Sequence, residues 1–314
     1  MVYNDFIKIK FSKVKFIKIK QNFAFQKKEE KKMKKIITLA LAVILSLGCV
    51  FSLASCGGQE LNFGKEFSAI DSQVDVLMKL NAKSIDVGVM DSIMAGYYMS
   101  QDTKYANSLM IVENLTLATE QYGIGARKGS GLTKKINQAI IDLAKEGKVN
   151  ELAEKYGIAS ELCIDTTKTV EALTESEMAD WNYLVGQGKF IVGYTDFAPI
   201  SYNNGTELVG FDVELAKAVG EKIGLTPEFK LISWDAKEGL LNGKTIDCIW
   251  NGMTITEERC ANMEMSIPYL NNKQVAVIRK DDKDKYKTTA DMKDAIIGAE
   301  SGSAGESCVV KEEK

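Results

Sequence analysis

The sequence predicts an α/β fold, because three of its segments follow a strand with a polar turn and then a helix. Residues 246–251 alternate in character with a period of two, and residues 85–90 do the same. The third segment, AIIGAE at 295–300, precedes a stretch rich in Ser and Gly that opens a helix. Side chains at the ends of such strands lie where doubly wound α/β lobes bind their ligands.

The stretch WNGMTITEER places a donor-rich turn ahead of an arginine. At the end of its strand, Asn251, Gly252 and Thr254 can contact a small ligand, and Arg259 can reach back over it. The planar guanidinium of arginine matches a carboxylate through two parallel, charge-assisted hydrogen bonds. The alternative is an ordinary strand–turn–helix in which Thr256 caps the helix and Arg259 is exposed. This stretch alone leaves both interpretations open.

The sequence around this turn carries further motifs. Residues 193–224 read GYTDFAPISYNNGTELVGFDVELAKAVGEKIG, and SIPY follows at 266–269. Together with the strand GKFIVGY, the LLNGKTID lead-in and the TITEER turn, they resemble the first lobe of the family 3 extracellular solute-binding proteins. Members of that family are the amino-acid receptors of ABC importers. The resemblance implies a two-lobed, periplasmic-binding-protein-like fold of type II, with doubly wound sheets and a hinge.

The motifs stand in a different order from that of the family, whose members begin with lobe 1, enter lobe 2 through a hinge and return to lobe 1 for a closing helix. The resemblance divides the chain into residues 67–117 (lobe 2, second half), 118–164 (hinge return and closing helix of lobe 1), 165–188 (linker), 189–270 (lobe 1), 271–276 (hinge) and 277–314 (lobe 2, first half). We interpret this order as a circular permutation. The competing interpretation is a truncated tandem duplication or an artefact of the gene prediction.

A single permuted domain has consequences for strand pairing. The strand at 296–299 is expected to pair in one sheet with the strands at 67–70 and 85–89, because neither half-lobe can cover its sheet alone. The chain end at Lys314 is expected to lie close to Glu60.

Two helices are expected outside lobe 2. The closing helix of lobe 1 is predicted from Thr133 to Tyr156. In the linker, Thr174 and Glu177 have the spacing of a capping box and predict a short helix.

The N-terminal region has the pattern of a bacterial lipoprotein signal. From Met33, two lysines precede an apolar run that ends in Leu-Ala-Ser-Cys at Cys56. Residues 33–55 are predicted to be the signal peptide, Cys56 the lipid-attachment site and residues 56–66 a tether at the outer face of the bacterial cytoplasmic membrane. The alternative is a plain transmembrane anchor, since the run is long enough to span a bilayer. Residues 1–32 are interpreted as an untranslated upstream extension.

The composition argues against several classes of function. The 314-residue chain is 45% hydrophobic, has a formal net charge of −3 and contains no histidine. The first 35 residues carry nine more positive than negative charges, so the rest has a balance of −12, which argues against nucleic acid as a partner. The lack of histidine removes the commonest general base and metal ligand, and we expect neither a metal nor a cofactor.

The cysteines that follow the signal have no CxxC spacing, which disfavours zinc. We expect isolated thiols in preference to a disulfide. These cysteines are Cys163, Cys248, Cys260 and Cys308.

The resemblance also assigns residues to a second wall of the site. The family aspartate that matches Asp91 takes the α-ammonium of the ligand, whereas the sequence alone allows Asp91 to be a helix N-cap. The family positions that match Ser303, Ala304 and Gly305 touch the bound amino acid. Glu300, at the end of the preceding strand, is expected to face the cleft and to favour a polar or cationic ligand side chain.

Two aromatic residues are expected to line the side-chain pocket. Phe197 lies in the aromatic-x-Pro loop, Trp234 precedes DAKEGLL, and both match pocket-lining positions of the family. Aromatic walls supply apolar contact and can face a cation. Trp250 and Phe211 are expected in the core.

Together these features imply a receptor that closes on a free polar amino acid and delivers it to the membrane permease of an ABC importer. One lobe offers Arg259 and Thr254 to the carboxylate and the other offers Asp91 to the ammonium, so only the closed form satisfies both ends. We expect a monomer without enzymatic activity. The alternatives are a non-functional truncated tandem copy and a dehydratase-like enzyme on the same fold.

Overall fold

A nine-stranded mixed sheet organises residues 60–101 and 103–311, which are the residues that this computed structural model describes. The strands are β1 (Glu66–Ile70), β2 (Val87–Asp91), β3 (Leu109–Ala126), β4 (Lys189–Tyr194), β5 (Tyr202–Asn204), β6 (Glu207–Val209), β7 (Thr226–Leu231), β8 (Cys248–Thr254), β9 (Glu264–Met265), β10 (Leu270–Arg279) and β11 (Ile296–Glu300). The main sheet has the order β1-β11-β2-β10-β3-β8-β4-β7, with β9 paired to β3, and β5 and β6 form a separate hairpin.

Helices cover the faces of this sheet. They are α1 (Gln73–Asn81), α2 (Ser92–Gln101), α3 (Thr103–Ser108), α4 (Gly131–Lys145), α5 (Lys148–Lys155), α6 (Glu175–Gln187), α7 (Phe211–Ile223), α8 (Lys237–Asn242), α9 (Glu257–Asn262) and α10 (Ala304–Val309). Short 3-10 turns lie at Ala159–Glu161, Lys280–Asp282 and Thr289–Met292.

The sheet has two parallel ends and an antiparallel middle. Strands β1, β11 and β2 are parallel to one another, and so are β8, β4 and β7. We call the first end lobe 2 and the second end lobe 1. Strands β3 and β10 are antiparallel to each other and to their other neighbours, so each passes from one lobe to the other. The predicted two-lobed α/β architecture is therefore present, and β3 and β10 join the sheets of both lobes into one hydrogen-bonded path.

The strand pairing expected across the length of the chain is present. Strand β11 lies between β1 and β2, and pairs Ile297 with both Phe67 and Val87. At the ends of the described chain, the backbone N–H of Lys311 donates to the carbonyl of Glu60 at 2.8 Å, and their side chains form an ion pair. Lobe 2 therefore forms from both chain-terminal parts of residues 60–311.

The predicted closing helix from Thr133 to Tyr156 is wrong as a single element. The chain forms α4 and α5 instead, separated by Gly147. Gly147 has a φ of 80°, a left-handed conformation that interrupts a helix and that glycine adopts without steric cost. Both helices keep apolar faces buried, as the periodicity of the segment requires.

The capping box predicted in the linker is confirmed. The side chain of Thr174 accepts from the N–H of Glu177, and the Glu177 carboxylate accepts from the N–H of Thr174. The helix that follows, α6, runs to Gln187 and is longer than expected. It is fixed to α4 by an ion pair of 2.8 Å between Lys134 and Glu177. Most of the predicted linker at 165–188 is therefore packed helix.

Trp250 and Phe211 are core residues, as expected, with 1% and 0% of their surface exposed. The four cysteines Cys163, Cys248, Cys260 and Cys308 are all free thiols. The signal peptide, Cys56, the tether before Glu60, the upstream extension and Lys314 lie outside the described residues. Among the residues that are described, no helix is long and apolar enough to cross a membrane.

Candidate functional site

A cavity lies between the two lobes, where strands from each lobe end. The space between its lining atoms is about 350 Å³, open solvent included. Ten of the eleven residues predicted to bind ligand line it: Asp91, Phe197, Trp234, Asn251, Gly252, Thr254, Arg259, Glu300, Ser303 and Ala304. The exception is Gly305, whose Cα faces the side chain of Gln274 and the carbonyl of Val89 instead. Sequence reasoning missed three lining residues, Gln73, Thr195 and Asp196.

Arg259 is buried at the lobe 1 wall of the cavity. Thr256 caps α9, because its hydroxyl accepts from the backbone N–H of Arg259 at 3.1 Å. The cap predicted by the strand–turn–helix interpretation is therefore present. The same interpretation also predicted that Arg259 is exposed. This prediction is wrong, because only 7% of the surface of Arg259 is exposed. Its guanidinium donates to the carbonyl of Thr254 at 2.8 Å and, across the cleft, to the carbonyl of Gly302 at 3.2 Å.

Lys237 is a second buried cation beside this wall. No motif in the sequence predicted its burial there. It opens α8 and is 5% exposed. Its ammonium donates to the Gly302 carbonyl at 3.0 Å and lies 4.8 Å from the centre of the Trp234 ring. Burial, and then the charge of Arg259, lower the pKa of Lys237 to about 8.

Trp234 lies against both cations. The Arg259 guanidinium lies 5.9 Å from the ring centre, on the same indole that Lys237 contacts. Such contacts stabilise a cation that has left water. Across residues 60–101 and 103–311, neither cation has a carboxylate oxygen within 4.0 Å. The lobe 1 wall therefore holds two buried positive charges whose hydrogen-bond acceptors are carbonyl oxygens.

Asp91 places a buried carboxyl group at the opposite wall, at the carboxyl end of β2. Its carboxylate accepts from four side chains rather than from the first turn of α2, which disfavours the N-cap interpretation. The donors are the Tyr122 hydroxyl at 2.7 Å, the Gln274 amide at 3.1 Å, and the amides of Gln73 and Asn272. Burial raises the pKa of Asp91 well above its usual range, and the nearby Glu120 raises it further.

Glu120 adds a carboxylate at the hinge, close to Asp91 and outside the cavity lining. The same two amides that bind Asp91 also donate to Glu120, Asn272 at 2.6 Å and Gln274 at 2.9 Å. These amides lie on β10 and Glu120 on β3, the strands that connect the lobes. The hydrogen-bond network thus joins the cavity-lining carboxyl group of Asp91 to both strands that connect the lobes.

Glu300 is the second buried carboxylate of the cavity lining, in which Asp196 is a third, exposed one. It ends β11, next to the strand end that carries Asp91, and is 5% exposed. Burial raises its pKa to about 8, and the charges of Lys237 and Arg259 oppose that rise. A ligand cation placed beside Glu300 would stabilise its ionised form.

Gly252 lets the backbone of β8 pass under two aromatic rings. Its φ is 58°, and a Cβ at this position would lie 2.6 Å from Phe197 and 3.0 Å from Tyr122. A larger residue would therefore displace the ring of a lining residue. Beside it, Asn251 is fixed by a 2.7 Å hydrogen bond between its side-chain amide and the Thr195 hydroxyl.

Asp212 supports this turn from below. One of its oxygens accepts from the N–H of Gly252 and from the hydroxyl of Tyr269, both at 2.8 Å. Burial raises the pKa of Asp212 to about 7, despite these hydrogen bonds. Asp212 lies in the first turn of α7 and was missed, because an aspartate there is an ordinary feature of helices.

The titration of Asp212 predicts a pH dependence of stability. Its folded-state pKa is raised, so the folded protein binds the proton more tightly than the unfolded chain does. The resulting stabilisation is present below pH 4 and is lost as pH rises from about 4 to about 7, by up to about 4 kcal/mol. Asp212→Asn should remove this contribution. Urea unfolding of both proteins between pH 4.5 and 8 tests it, and parallel stability profiles would contradict it.

Comparison with known proteins places a family match on lobe 1 and the start of lobe 2. Residues 190–307 match the bacterial extracellular solute-binding proteins, family 3. The chain is 34% identical over 122 residues to the arginine-binding extracellular protein ArtP of Bacillus subtilis (strain 168), a match that covers 38% of this chain and 47% of that protein. It is 37% identical over 109 residues to the ABC transporter arginine-binding protein 1 of Escherichia coli (strain K12), covering 35% and 43%.

The matched region spans less than half the length of these curated relatives. Among solved structures, the chain is 36% identical to an ABC uptake transporter substrate-binding protein from Streptococcus pneumoniae with bound histidine, over 26% of this chain and 35% of that one. The TM-score of 0.26 is too low for this likeness to bear on the arrangement of the whole chain. The architecture of the two lobes rests on the sheet described above.

Proposed function

We propose that this chain, which carries a family 3 extracellular solute-binding segment over residues 190–307, is an extracytoplasmic receptor for a free polar amino acid. It binds its ligand between the two lobes and presents it to the membrane permease of an ABC importer. The supporting observation is the separation of buried charge across one cavity. On the lobe 1 side Arg259 lines the cavity and the buried Lys237 lies beside it, outside the lining, whereas Asp91 and Glu300 line the lobe 2 side.

A free amino acid is complementary to this arrangement because it is a zwitterion. Its carboxylate would pair with Arg259 of α9 and with Thr254 at the end of β8, and its ammonium would pair with Asp91. The helix start at Ser303 and Ala304 adds backbone N–H groups to the wall that carries Glu300. Burying an unpaired charge costs several kcal/mol. Cationic side chains at one wall and carboxylates at the other therefore favour a ligand that carries both a negative and a positive charge.

Lobe closure follows from where these residues lie. The anion-binding and cation-binding groups belong to different lobes, and only β3 and β10 connect the two ends of the sheet. A ligand that binds both walls stabilises the closed form by its extra affinity for that form. The permease would then distinguish the loaded receptor from the empty one.

The charge count bears on the ligand side chain. Asp91 and Glu300 outnumber Arg259 by one, which led to the expectation of a cationic or polar side chain. The buried Lys237 adds a second positive group beside the cavity, and the exposed Asp196 adds a third carboxylate to the lining, so this count alone does not select a charged ligand side chain. A polar side chain, charged or neutral, remains the proposal, and the arginine-binding relatives support it.

Circular permutation of the family order is the proposal that best accounts for the chain. The position of β11 between β1 and β2, and the bonding of Lys311 to Glu60, support one domain built from both ends. Two partial tandem copies would have left the two halves of lobe 2 without such pairing.

Lipid anchoring is the proposed means of retention at the membrane. Cys56→Ala should abolish incorporation of a palmitate analogue and leave the unprocessed precursor, because the lipid is attached to the cysteine sulfur. Metabolic labelling followed by mass measurement tests this, with Cys260→Ala as the matched control. Label on the Cys56→Ala protein would show that the lipidation site is elsewhere.

The direct test of function is a thermal melt of residues 57–314 against each of the twenty amino acids. A receptor should melt cooperatively, and a polar amino acid should raise the midpoint, with an increase that grows with the logarithm of its concentration above the dissociation constant. A non-cooperative melt, or one that no amino acid shifts, would indicate a non-functional copy. Tighter binding of leucine than of arginine, lysine and glutamine would contradict the polar side-chain preference.

A further inference from the structure

The carbonyl oxygen of Gly302 is held by two cations of the opposite lobe. Gly302 lies in lobe 2, in the turn between β11 and α10, whereas Lys237 and Arg259 belong to lobe 1. The oxygen accepts from Lys237 at 3.0 Å and from Arg259 at 3.2 Å. It thereby marks a point in the closed cleft where one oxygen atom is within hydrogen-bond distance of both positive groups.

A carbonyl is a weak partner for two buried cations. Hydrogen bonds between ionised groups are roughly twice as strong as those between neutral ones, and a carboxylate has two oxygens to share. Burial first, and then repulsion from Arg259, lower the pKa of Lys237, whereas the charges of Glu238, Glu300 and Asp235 oppose this shift. An anionic oxygen at this point would offset both the repulsion and the loss of water around the two charges.

We propose that Lys237 is a second cationic donor to the α-carboxylate of the ligand, alongside Arg259. The inference rests on the proposed function, since it concerns the same amino-acid site. When the lobes separate, Gly302 leaves with lobe 2 and both cations remain with lobe 1. In the liganded form the carboxylate occupies the point that the Gly302 oxygen holds here, so the Gly302 turn closes against the ligand and not against the two cations.

The surroundings of Lys237 fix its ammonium in that place. Its side chain lies along the Trp234 ring, which keeps the ammonium in contact with the aromatic face. Gly302 has a φ of 69°, and a Cβ there would lie 3.2 Å from the Lys237 ammonium and 3.3 Å from a carboxylate oxygen of Asp235. The absence of a Cβ at Gly302 therefore lets this turn approach the Lys237 ammonium closely.

The test compares the binding of two ligands to the wild-type protein and to three variants. Lys237→Met keeps the aliphatic stem and removes the charge, Lys237→Arg keeps the charge, and Lys217→Met removes an exposed lysine from α7 as the control. Dissociation constants are measured by calorimetric titration for the amino acid that the melt identifies and for its α-carboxamide, which lacks the carboxylate charge.

Lys237→Met should weaken binding of the free amino acid by about tenfold or more and that of the carboxamide by less than about threefold. Lys237→Arg should retain most of the affinity, and Lys217→Met should bind as the wild type does. Equal weakening of both ligands would overturn the proposal, because Lys237 would then act only as a contact between the lobes. Unchanged affinity for the free amino acid would overturn it as well.

The outcomes separate this proposal from the function on which it rests. A wild-type protein that binds no amino acid would remove both. A wild-type protein that binds one, with an unaffected Lys237→Met variant, would remove only the role of Lys237. The melting midpoints of the unliganded variants identify any that fail to fold. If Lys237→Met fails to fold, the two ligands are compared on Lys237→Arg and the wild type.

Discussion

Arg259→Ala is expected to weaken amino-acid binding by roughly 2–4 kcal/mol, about 30-fold to 1,000-fold in the dissociation constant. The guanidinium is 7% exposed and points between the lobes, where its acceptors are the carbonyls of Thr254 and Gly302. Its removal would leave the ligand carboxylate buried without its main partner. Arg259→Lys should recover little, because an ammonium lacks the planar pair of donors.

Calorimetric titration of both variants measures this effect, and Lys217→Met again supplies an exposed control. The unliganded melting midpoint must be measured in parallel, since Arg259 also bonds to the end of β8. Near-native affinity in either variant would contradict the role assigned to Arg259.

Asp91→Asn is expected to cause the second large loss, roughly 2–3 kcal/mol of binding free energy for ligands with an α-amino group. The substitution removes the negative charge that would pair with the ligand ammonium. The loss should be smaller for the matching α-hydroxy acid, which carries no ammonium. Equal losses for the two ligands would contradict the pairing.

The matched control for Asp91 is Glu120→Gln. Glu120 shares the amide donors of Asn272 and Gln274 with Asp91, but it is not part of the cavity wall. Disruption of the hydrogen-bond network alone should therefore affect both variants. A loss of affinity specific to ammonium-bearing ligands should occur only in Asp91→Asn.

Local sequence pattern predicted the strand ends of the site well. Asp91, Thr254 and Glu300 each end a strand, and alternation with a period of two is enough to place such residues. The pairing of β11 with β1 and β2 came from the resemblance to a family and from the order of its motifs. No periodicity in the sequence relates strands that lie more than two hundred residues apart.

The residues that sequence reasoning missed lie in or near the cavity because segments far apart in the sequence contact each other there. Gln73 is buried because α1 packs where its amide meets Asp91, and Lys237 is buried because Gly302 of the other lobe closes over it. A lysine at a helix start is usually exposed, so its sequence context favours the wrong expectation. Glu120 was missed because it lies within the long strand β3, at the crossing with β10, rather than at a strand end.

The break between α4 and α5 has a local cause that the apolar period concealed. Both helices bury the same kind of face, so the hydrophobic pattern continues across the break. Gly147 was the only signal of an interruption, and an isolated glycine within a helical pattern is often tolerated.

The central claim is that one cavity recognises both charged ends of a free amino acid. The most direct measurement is the affinity of the wild-type protein for three forms of its best amino acid: the free form, the N-acetyl form and the α-carboxamide. The charge separation between Arg259 and Asp91 predicts that the free form binds at least about tenfold more tightly than either blocked form. A blocked form that binds as tightly as the free amino acid would contradict the account.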